Sequence, residues 1–141
     1  MNRTILKTLL VKHECVGGKI PLKPYPDTVG KLTIGVGRNL TDDGISADEA
    51  QLMLDNDIHE CVARLPSICR SFGSLDDTRQ HVLIDMAFNL GIDGLRKFQK
   101  LLACVEARDF TGAAREMLDS AWAKEVGDRA NELAAMMSGA N

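Results

Sequence analysis

The sequence predicts an α+β fold in which a small N-terminal β-hairpin lobe and a larger, mostly helical C-terminal lobe are joined by a long helix. Apolar residues alternate with polar or small ones over residues 32–37, which is the period of a half-buried strand. From Ser46 onward, apolar residues recur at helical spacing almost throughout. A strand pattern followed by a long succession of helix patterns is typical of α+β proteins. The 141 residues are enough for one domain with two lobes.

A short amphipathic helix is predicted over residues 3–13, where apolar side chains recur at helical spacing. The next stretch, residues 15–26, contains two Gly and three Pro, and it cannot continue a helix. We expect this stretch to form a loop and then an edge strand.

A β-hairpin is predicted next, because the strand pattern follows a turn signal. If the turn is centred on Gly30, Asp27 and Thr33 are equidistant from it and face each other across the hairpin. The same face would continue as Gly35 and Gly37, a floor without side chains where a long ligand could lie against the backbone.

The helical part is predicted to begin with a capping box, in which Ser46 is followed three residues later by Glu49. This helix runs to about Arg64. A second helix has Asp76 and Asp77 at its start and ends at Gly91. Shorter helices are predicted near residues 94–106, 110–119 and 125–137.

The chain is therefore predicted to be a single bilobal domain, since no repeat, low-complexity tract or linker interrupts it. Its parts are a hairpin lobe at about 14–45, a linking helix at about 46–65, and a helical lobe at about 75–141 on which the helix 1–13 packs.

The composition is that of a soluble globular protein, with 45% apolar and 26% charged residues. Residues 1–38 contain seven basic and two acidic side chains, whereas the rest of the chain is acidic. A basic segment suits an anionic polymer better than a neutral metabolite, although charge alone favours the simpler explanation of attraction between the lobes or chance. Nucleic acid is not favoured, because no basic run alternates with aromatic residues.

Cysteine and histidine spacing predicts neither a zinc site nor any other metal site. We expect free buried thiols, and the sequence does not select a disulfide pair. The cysteines are Cys15, Cys61, Cys69 and Cys104.

Two carboxylic acids and one hydroxyl are candidates for chemistry. Glu14 ends an apolar helix, where packing would remove water and disfavour its ionised form, as a general acid requires. Asp27 lies in a polar turn, and Thr33 could hold a water against it. Each has a simpler interpretation: a solvated glutamate at a helix end, an aspartate that bonds its own backbone, and an ordinary strand threonine. Together they describe two carboxylates in contrasting environments, as in enzymes that cleave glycosidic bonds.

These residues resemble the active-site signature of bacteriophage-type lysozymes, the phage endolysins. The similar segments are Glu14, Asp27-Thr28-x-Gly30-x-x-Thr33-Ile34-Gly35-x-Gly37, Leu83 to Gly91 with Gly94 and Phe98, and Ser120-Ala-Trp122 with Arg129-Ala130. They occur in the family's order and cover nearly the whole chain. The resemblance implies a lysozyme-like fold and cleavage of peptidoglycan between N-acetylmuramic acid and N-acetylglucosamine, leading to bacterial lysis.

The resemblance also implies a role for each matching residue. Glu14 would donate the proton to the glycosidic oxygen, while Asp27 and Thr33 would position the attacking water. Carboxyl groups roughly 6.5–9.5 Å apart would give inversion at the anomeric carbon. Among the substrate-binding residues, Phe88 and Asn89 would line the family's cleft and Arg129 would pair with Glu14.

Other expectations concern residues of the matching segments and the loop between them. Trp122 is expected to pack rather than to form a sugar platform. Arg38 and Asp57 are expected to form an ion pair between the lobes. The loop between Glu14 and Asp27 is four residues longer than the family's pattern, and it is expected to bulge at the edge of the cleft.

The implied biology is that of a monomer that uses no cofactor and acts on the peptidoglycan polymer, without nucleic acid or stable membrane insertion. No export signal is recognised. The protein would therefore accumulate in the cytoplasm of the bacterial host until a holin-type protein permeabilises the membrane. Two alternatives remain: a lytic transglycosylase that forms anhydro-muropeptides, and a wall-binding module without catalysis.

Overall fold

The structure, a computed structural model, describes residues 1–139. The chain divides into an N-terminal unit, Met1–Leu52, and a C-terminal unit, Met53–Asn141, and the division falls inside one helix. Helices predominate and a three-stranded antiparallel sheet is present, which confirms the α+β class. The lobe limits derived from the sequence, and the packing of helix 1–13 on the helical lobe, stay predictions.

The N-terminal unit contains one complete helix, a small sheet and the start of a second helix. Its elements are α1 (Arg3–Glu14), β1 (Tyr25–Pro26), β2 (Leu32–Ile34), β3 (Arg38–Asn39) and the first part of α2 (Ala47–Arg64), with sheet order β1-β2-β3. Asn2 caps α1, because its side-chain oxygen accepts the N–H groups of Thr4 and Ile5 at 3.1 and 3.2 Å. The predicted N-terminal helix is confirmed.

The hairpin between β1 and β2 has a different register from the predicted one. Tyr25 pairs with Thr33, and the N–H of Asp27 donates to the carbonyl of Lys31 at 2.8 Å. The predicted turn centred on Gly30, with Asp27 directly opposite Thr33, is therefore wrong.

The turn is centred one residue earlier because the Asp27 side chain organises it. Its Oδ1 accepts the N–H groups of Val29 and Lys31 at 2.9 and 2.8 Å, a local bonding pattern that aspartate commonly forms in turns. Gly30 then occupies the last loop position at φ +81°, a conformation that glycine adopts without steric cost.

Gly35 and Gly37 do not form a flat floor along a strand, which corrects the second expectation for this segment. Strand β2 ends at Ile34, and both glycines lie in the turn to β3 with φ values of +65° and +81°. The N–H of Gly35 donates to the carbonyl of Pro21 at 3.0 Å, which ties this turn to the long loop. The alternating pattern predicted a longer strand, but the positive φ values turn the chain back into a third strand.

The C-terminal unit is built from helices around a continuous apolar core. Its complete helices are α3 (Asp77–Arg96), α4 (Gln99–Glu106), α5 (Phe110–Leu118), α6 (Ala121–Val126) and α7 (Asp128–Ser138). The fully buried side chains include Leu83, Met86, Leu95, Leu101, Met117 and Met137. Burial of these helix faces positions the exposed residues of α3 and α7 described below.

Helix boundaries follow the predicted glycines in most places. The backbone of α3 is interrupted at Gly91, which has φ +71° and ψ 161°, and Gly127 separates α6 from α7. The helix predicted over 94–106 is wrong at its start, because the chain leaves α3 at Arg96 and α4 begins at Gln99.

The predicted capping box at the start of α2 is confirmed. The hydroxyl of Ser46 accepts the N–H of Glu49 at 3.2 Å, and the Glu49 carboxylate accepts the N–H of Ser46 at 2.7 Å. These reciprocal bonds satisfy two backbone donors that the helix itself leaves unpaired.

All four thiols are free, but only two of them are buried as the sequence predicted. Cys15 and Cys69 are buried, whereas Cys61 and Cys104 are partly exposed. Burial raises the pKa of the Cys69 thiol. No helix in the described part of the chain is long and apolar enough to cross a membrane.

Candidate active site

Glu14 is the last residue of α1, and it is exposed. Within the N-terminal unit most apolar side chains of α1 are themselves exposed, so this unit alone does not supply the apolar packing that the sequence predicted around the carboxyl group. The next residue, Cys15, is 5% exposed and begins the long loop. Glu14 thus ends a helix at the point where the chain enters the long loop.

The two carboxylate oxygens of Asp27 have different surroundings. Its Oδ1 holds the turn through Val29 and Lys31, which is the backbone-bonding interpretation that the sequence left open. Its Oδ2 accepts no hydrogen bond from the part of the chain that the structure describes. The turn therefore fixes the carboxylate and leaves one oxygen for a water or a substrate atom.

Thr33 lies in the middle of β2 and is 5% exposed, the one buried polar side chain among the described residues. Its hydroxyl donates to the carbonyl of Lys31 at 3.2 Å, and its oxygen can still accept a hydrogen bond. Because Asp27 bonds to Lys31, Thr33 is a diagonal neighbour of Asp27, at a typical spacing of about 7–8 Å in an antiparallel ladder. The changed register thus keeps the two side chains on one face of the hairpin.

Arg38 forms an ion pair with Glu49, whereas the resemblance predicted Asp57 as its partner. Its Nη1 and Nη2 donate to the two carboxylate oxygens at 2.9 and 3.0 Å. The N–H of Ser46 and the Arg38 guanidinium lower the pKa of Glu49. Local sequence favours this partner, because Glu49 is already held at the start of α2 by its capping bond.

Asn89 and Trp122 form a hydrogen-bonded pair in the C-terminal unit. Trp122 is 4% exposed and packs edge-on against Phe98, with ring centroids 6.3 Å apart, so it is the packing residue that the sequence predicted. Its Nε1 donates to Oδ1 of Asn89 at 2.8 Å. Since the indole nitrogen only donates, the Asn89 amide nitrogen is left on the surface as a donor. Sequence reasoning named Asn89 but missed that Trp122 orients it.

Phe88 and Arg129 line the same groove of about 430 Å³ on the C-terminal unit. Phe88 is 47% exposed although it is a large apolar residue of α3. The other lining residues are Leu54, Ile58, His81, Ile84 and Asp85. The groove therefore offers apolar walls and an arginine–aspartate ion pair, which suits contacts with an amphipathic polymer.

Arg129 pairs with Asp85, whereas the resemblance predicted Glu14 as its partner. The Nη2 and Nε atoms of Arg129 lie 2.7 and 2.9 Å from Oδ1 of Asp85. Sequence reasoning missed Asp85, and the available signal was an acidic residue within the apolar pattern of α3.

No group of three or more His, Cys, Asp or Glu side chains is positioned to hold a metal ion within residues 1–139. A smaller cavity of about 220 Å³ is lined in part by Asp57, Glu60 and Cys61. Burial, and then the nearby carboxylates of Glu60 and Asp57, raise the pKa of the Cys61 thiol.

Comparison with known proteins gives a consistent result. The sequence profile of the family described as phage lysozyme matches residues 18–137, a range that includes every candidate site residue except Glu14. Two proteins of Dictyostelium discoideum, named probable T4-type lysozyme 1 and 2, are each 23% identical to the chain over 141 residues, with 79% of this chain and 83% of each relative covered. The pre-baseplate central spike protein Gp5 of Enterobacteria phage T4 is 26% identical over 140 residues, with 79% of this chain but 24% of that protein covered.

Proposed function

The chain belongs to the phage lysozyme family, and from this premise we propose that it is an endolysin-type muramidase. The names of its relatives support a lysozyme-type glycosidase activity and therefore a peptidoglycan substrate. The proposed bond is the β-1,4 linkage between N-acetylmuramic acid and N-acetylglucosamine, and the proposed consequence is lysis of the bacterial cell.

The observation that carries the proposal is the arrangement of Asp27 and Thr33 on one face of the hairpin. The open Oδ2 of Asp27 and the acceptor oxygen of Thr33 can hold a single water between them. Asp27 takes a proton from that water while the oxygen of the water attacks the anomeric carbon. A lytic transglycosylase needs no residue to hold a water, so this arrangement favours hydrolysis.

Glu14 is the proposed general acid. In the same step as the water attack, its carboxyl proton passes to the glycosidic oxygen, which leaves as the hydroxyl of the released sugar. Its exposed position at the end of α1 gives a polymer access to the carboxyl group. Attack by water on the opposite face of the sugar inverts the anomeric carbon.

Substrate binding is assigned to Phe88, Asn89 and Arg129. Phe88 offers an apolar surface, the Asn89 amide donates to a carbonyl or carboxylate, and Arg129 supplies a positive charge. The excess of basic side chains in residues 1–38 suits the same anionic polymer.

The proposed biological setting follows the family. The protein acts as a monomer, without a cofactor or nucleic acid, on the peptidoglycan of its bacterial host. It is made in the host cytoplasm and reaches the wall after a holin-type protein has permeabilised the membrane.

Mass spectrometry of the muropeptides released from purified peptidoglycan tests the proposal. Wild type should release products with reducing N-acetylmuramic acid ends, and Glu14→Gln should release none above background, because the amide has no acidic proton to transfer. The control is Glu132→Gln, which changes an exposed glutamate of α7 and should behave as wild type.

Three outcomes would contradict this function. Anhydro ends would identify a lytic transglycosylase and leave Asp27 as a turn residue. Wall binding without release by any variant would identify a binding module. Full activity of Glu14→Gln would remove Glu14 from the role of general acid.

A further inference from the structure

The backbone of Lys31 bonds to both of the residues that are proposed to hold the water. Its N–H donates to Oδ1 of Asp27 at 2.8 Å. Its carbonyl accepts the N–H of Asp27 at 2.8 Å and the hydroxyl of Thr33 at 3.2 Å. A displacement of Lys31 would therefore move the carboxylate and the hydroxyl relative to each other.

The side chain of Lys31 is held by Asp42, eleven residues further along the chain. Its Nζ lies 2.7 and 2.5 Å from the two carboxylate oxygens of Asp42. Nδ2 of Asn39 donates to Oδ2 of Asp42 at 2.9 Å, and the N–H of Asp42 donates to Oδ1 of Asn39 at 3.0 Å. The carboxylate that binds the ammonium is thus oriented in turn by a residue of β3.

The segment 39–42 also bonds to β2 through its backbone and one hydroxyl. The N–H of Leu40 donates to the carbonyl of Leu32 at 2.7 Å, and the hydroxyl of Thr41 accepts the N–H of Leu32 at 2.9 Å. These bonds join the segment to the strand that follows the proposed water-holding turn. Every group in this network belongs to the N-terminal unit, and the network is complete within that unit.

Stability does not account for the ion pair. The side chains of Lys31 and Asp42 are 41% and 49% exposed, and ion pairs with that exposure contribute little net stability. Holding two rotatable side chains in one arrangement also costs conformational entropy. The pair does give the Lys31 side chain a fixed direction next to the proposed site.

We propose that Asp42 is a positioning residue for hydrolysis: by holding the Lys31 side chain, it keeps the two water-holding groups at a separation that one water molecule can bridge. These groups are the Asp27 carboxylate and the Thr33 hydroxyl. Asp42 itself touches neither the substrate nor the water, and its effect passes through Lys31. The inference deepens the proposed peptidoglycan hydrolase function and rests on it.

Steady-state kinetics on soluble peptidoglycan fragments test the inference. Asp42→Ala should lower kcat about tenfold with KM nearly unchanged, because the water is held less well while the sugar-binding groups are unaltered. Asp42→Asn keeps an acceptor oxygen for the ammonium and should retain most of kcat. The matched control is Asp43→Ala, because this adjacent aspartate is exposed and its side chain forms no ion pair or hydrogen bond among the described residues. It should leave kcat and KM unchanged.

A double variant shows whether Asp42 acts through Lys31. Lys31→Met removes the ammonium but keeps the backbone bonds, and it should lower kcat as much as Asp42→Ala does. The double variant should be no slower than either single variant, because both changes remove the same contact. Unfolding temperatures should stay close to that of wild type, since the continuous apolar core lies in the C-terminal unit.

Amide-proton exchange measured by NMR separates this inference from the hydrolase assignment. The N–H groups of Val29 and Lys31 donate to the Asp27 carboxylate. In Asp42→Ala both should exchange about tenfold faster, whereas the N–H of Gly35, which donates to the long loop, should exchange as in wild type. Faster exchange together with an inactive wild type would overturn the hydrolase assignment and support the link between Asp42 and the turn.

Several results would overturn the inference while the hydrolase assignment stands. They are an unchanged kcat for Asp42→Ala in an active protein, additive losses for Asp42→Ala and Lys31→Met, and unchanged exchange of the turn N–H groups. An equal loss of kcat in Asp43→Ala would also overturn it, because the effect would then come from charge rather than from position.

Discussion

The exposed amide of Asn89 has a defined direction, because the buried indole of Trp122 donates to its oxygen at 2.8 Å. Asn89→Asp keeps an acceptor for the indole but replaces the exposed N–H donors with a carboxylate oxygen. We expect a roughly tenfold rise in KM on peptidoglycan, since a donor is lost and a negative charge faces an anionic polymer. Steady-state kinetics of wild type and Asn89→Asp measure the change in KM, and an unfolding curve is recorded for both proteins.

Trp122→Phe tests the same contact from its other side. It preserves an aromatic ring against Phe98 but leaves the amide of Asn89 free to rotate, so a smaller rise in KM is expected. Asn131→Asp, an exposed change on α7, is the control for added charge. If Asn89→Asp and Asn131→Asp alter KM equally, the orientation of Asn89 has no role.

At this scale the sequence predicts residue types better than partners. It identified Arg129 as a functional candidate but not Asp85 as its counterion, because partners from different helices depend on how those helices pack. It named Asp27 and Thr33, yet the choice between two neighbouring turn centres depended on which N–H groups the Asp27 carboxylate accepts.

Among the elements, α2 has an N-terminus whose stability depends on pH. The N–H of Ser46 and the guanidinium of Arg38 lower the pKa of Glu49. The stabilisation is therefore fully present above the pKa of an unfolded glutamate, about 4.3, and is lost as the pH falls through the lower folded value. Glu49→Gln should unfold a few degrees below wild type at neutral pH.

Thermal unfolding followed by circular dichroism across a pH series measures this effect. The difference between wild type and Glu49→Gln should shrink as the solution becomes more acidic, because protonation removes the charge that the variant lacks at every pH. Glu60→Gln is the control, since Glu60 forms an exposed pair with Arg64 within the same helix. A difference that persists unchanged into strong acid would contradict the assignment.

Elements that depend on local sequence signals were predictable, whereas those that depend on the sign of a backbone φ angle were not. The capping box at Ser46 and the interruption at Gly91 each depend on residues that are close together in the sequence. The alternating pattern through Gly35 and Gly37 predicted a strand, but glycine also permits the positive φ values that make a turn. The third strand was missed for the same reason.

For the whole molecule, the two units differ in how much apolar surface they bury. Within residues 1–52 only Cys15 and Thr33 are buried, whereas the C-terminal unit contains a continuous core along α3, α5 and α7. Regions with few buried apolar contacts open locally at lower free energy than a packed core. The sheet should therefore open more readily than the core helices.

Hydrogen–deuterium exchange of the intact protein tests this difference. Peptides from β1, β2 and β3 should exchange at least about tenfold faster than peptides from α3 and α5. Leu83→Ala, which empties a fully buried site, should lower the free energy of unfolding by about 2–5 kcal/mol and speed exchange in the core helices. Leu22→Ala, at a side chain that is 85% exposed, should change neither quantity.

Equal protection of the sheet and the core helices would contradict this assignment of stability.

Peptides from α1 report on a separate point, because the sequence predicts that this helix packs on the helical lobe. Exchange in α1 as slow as in α3, accelerated by Leu83→Ala, would support that packing, since a shared core opens as one cooperative unit. Fast exchange in α1, unaffected by Leu83→Ala, would mean that α1 gains no protection from the core.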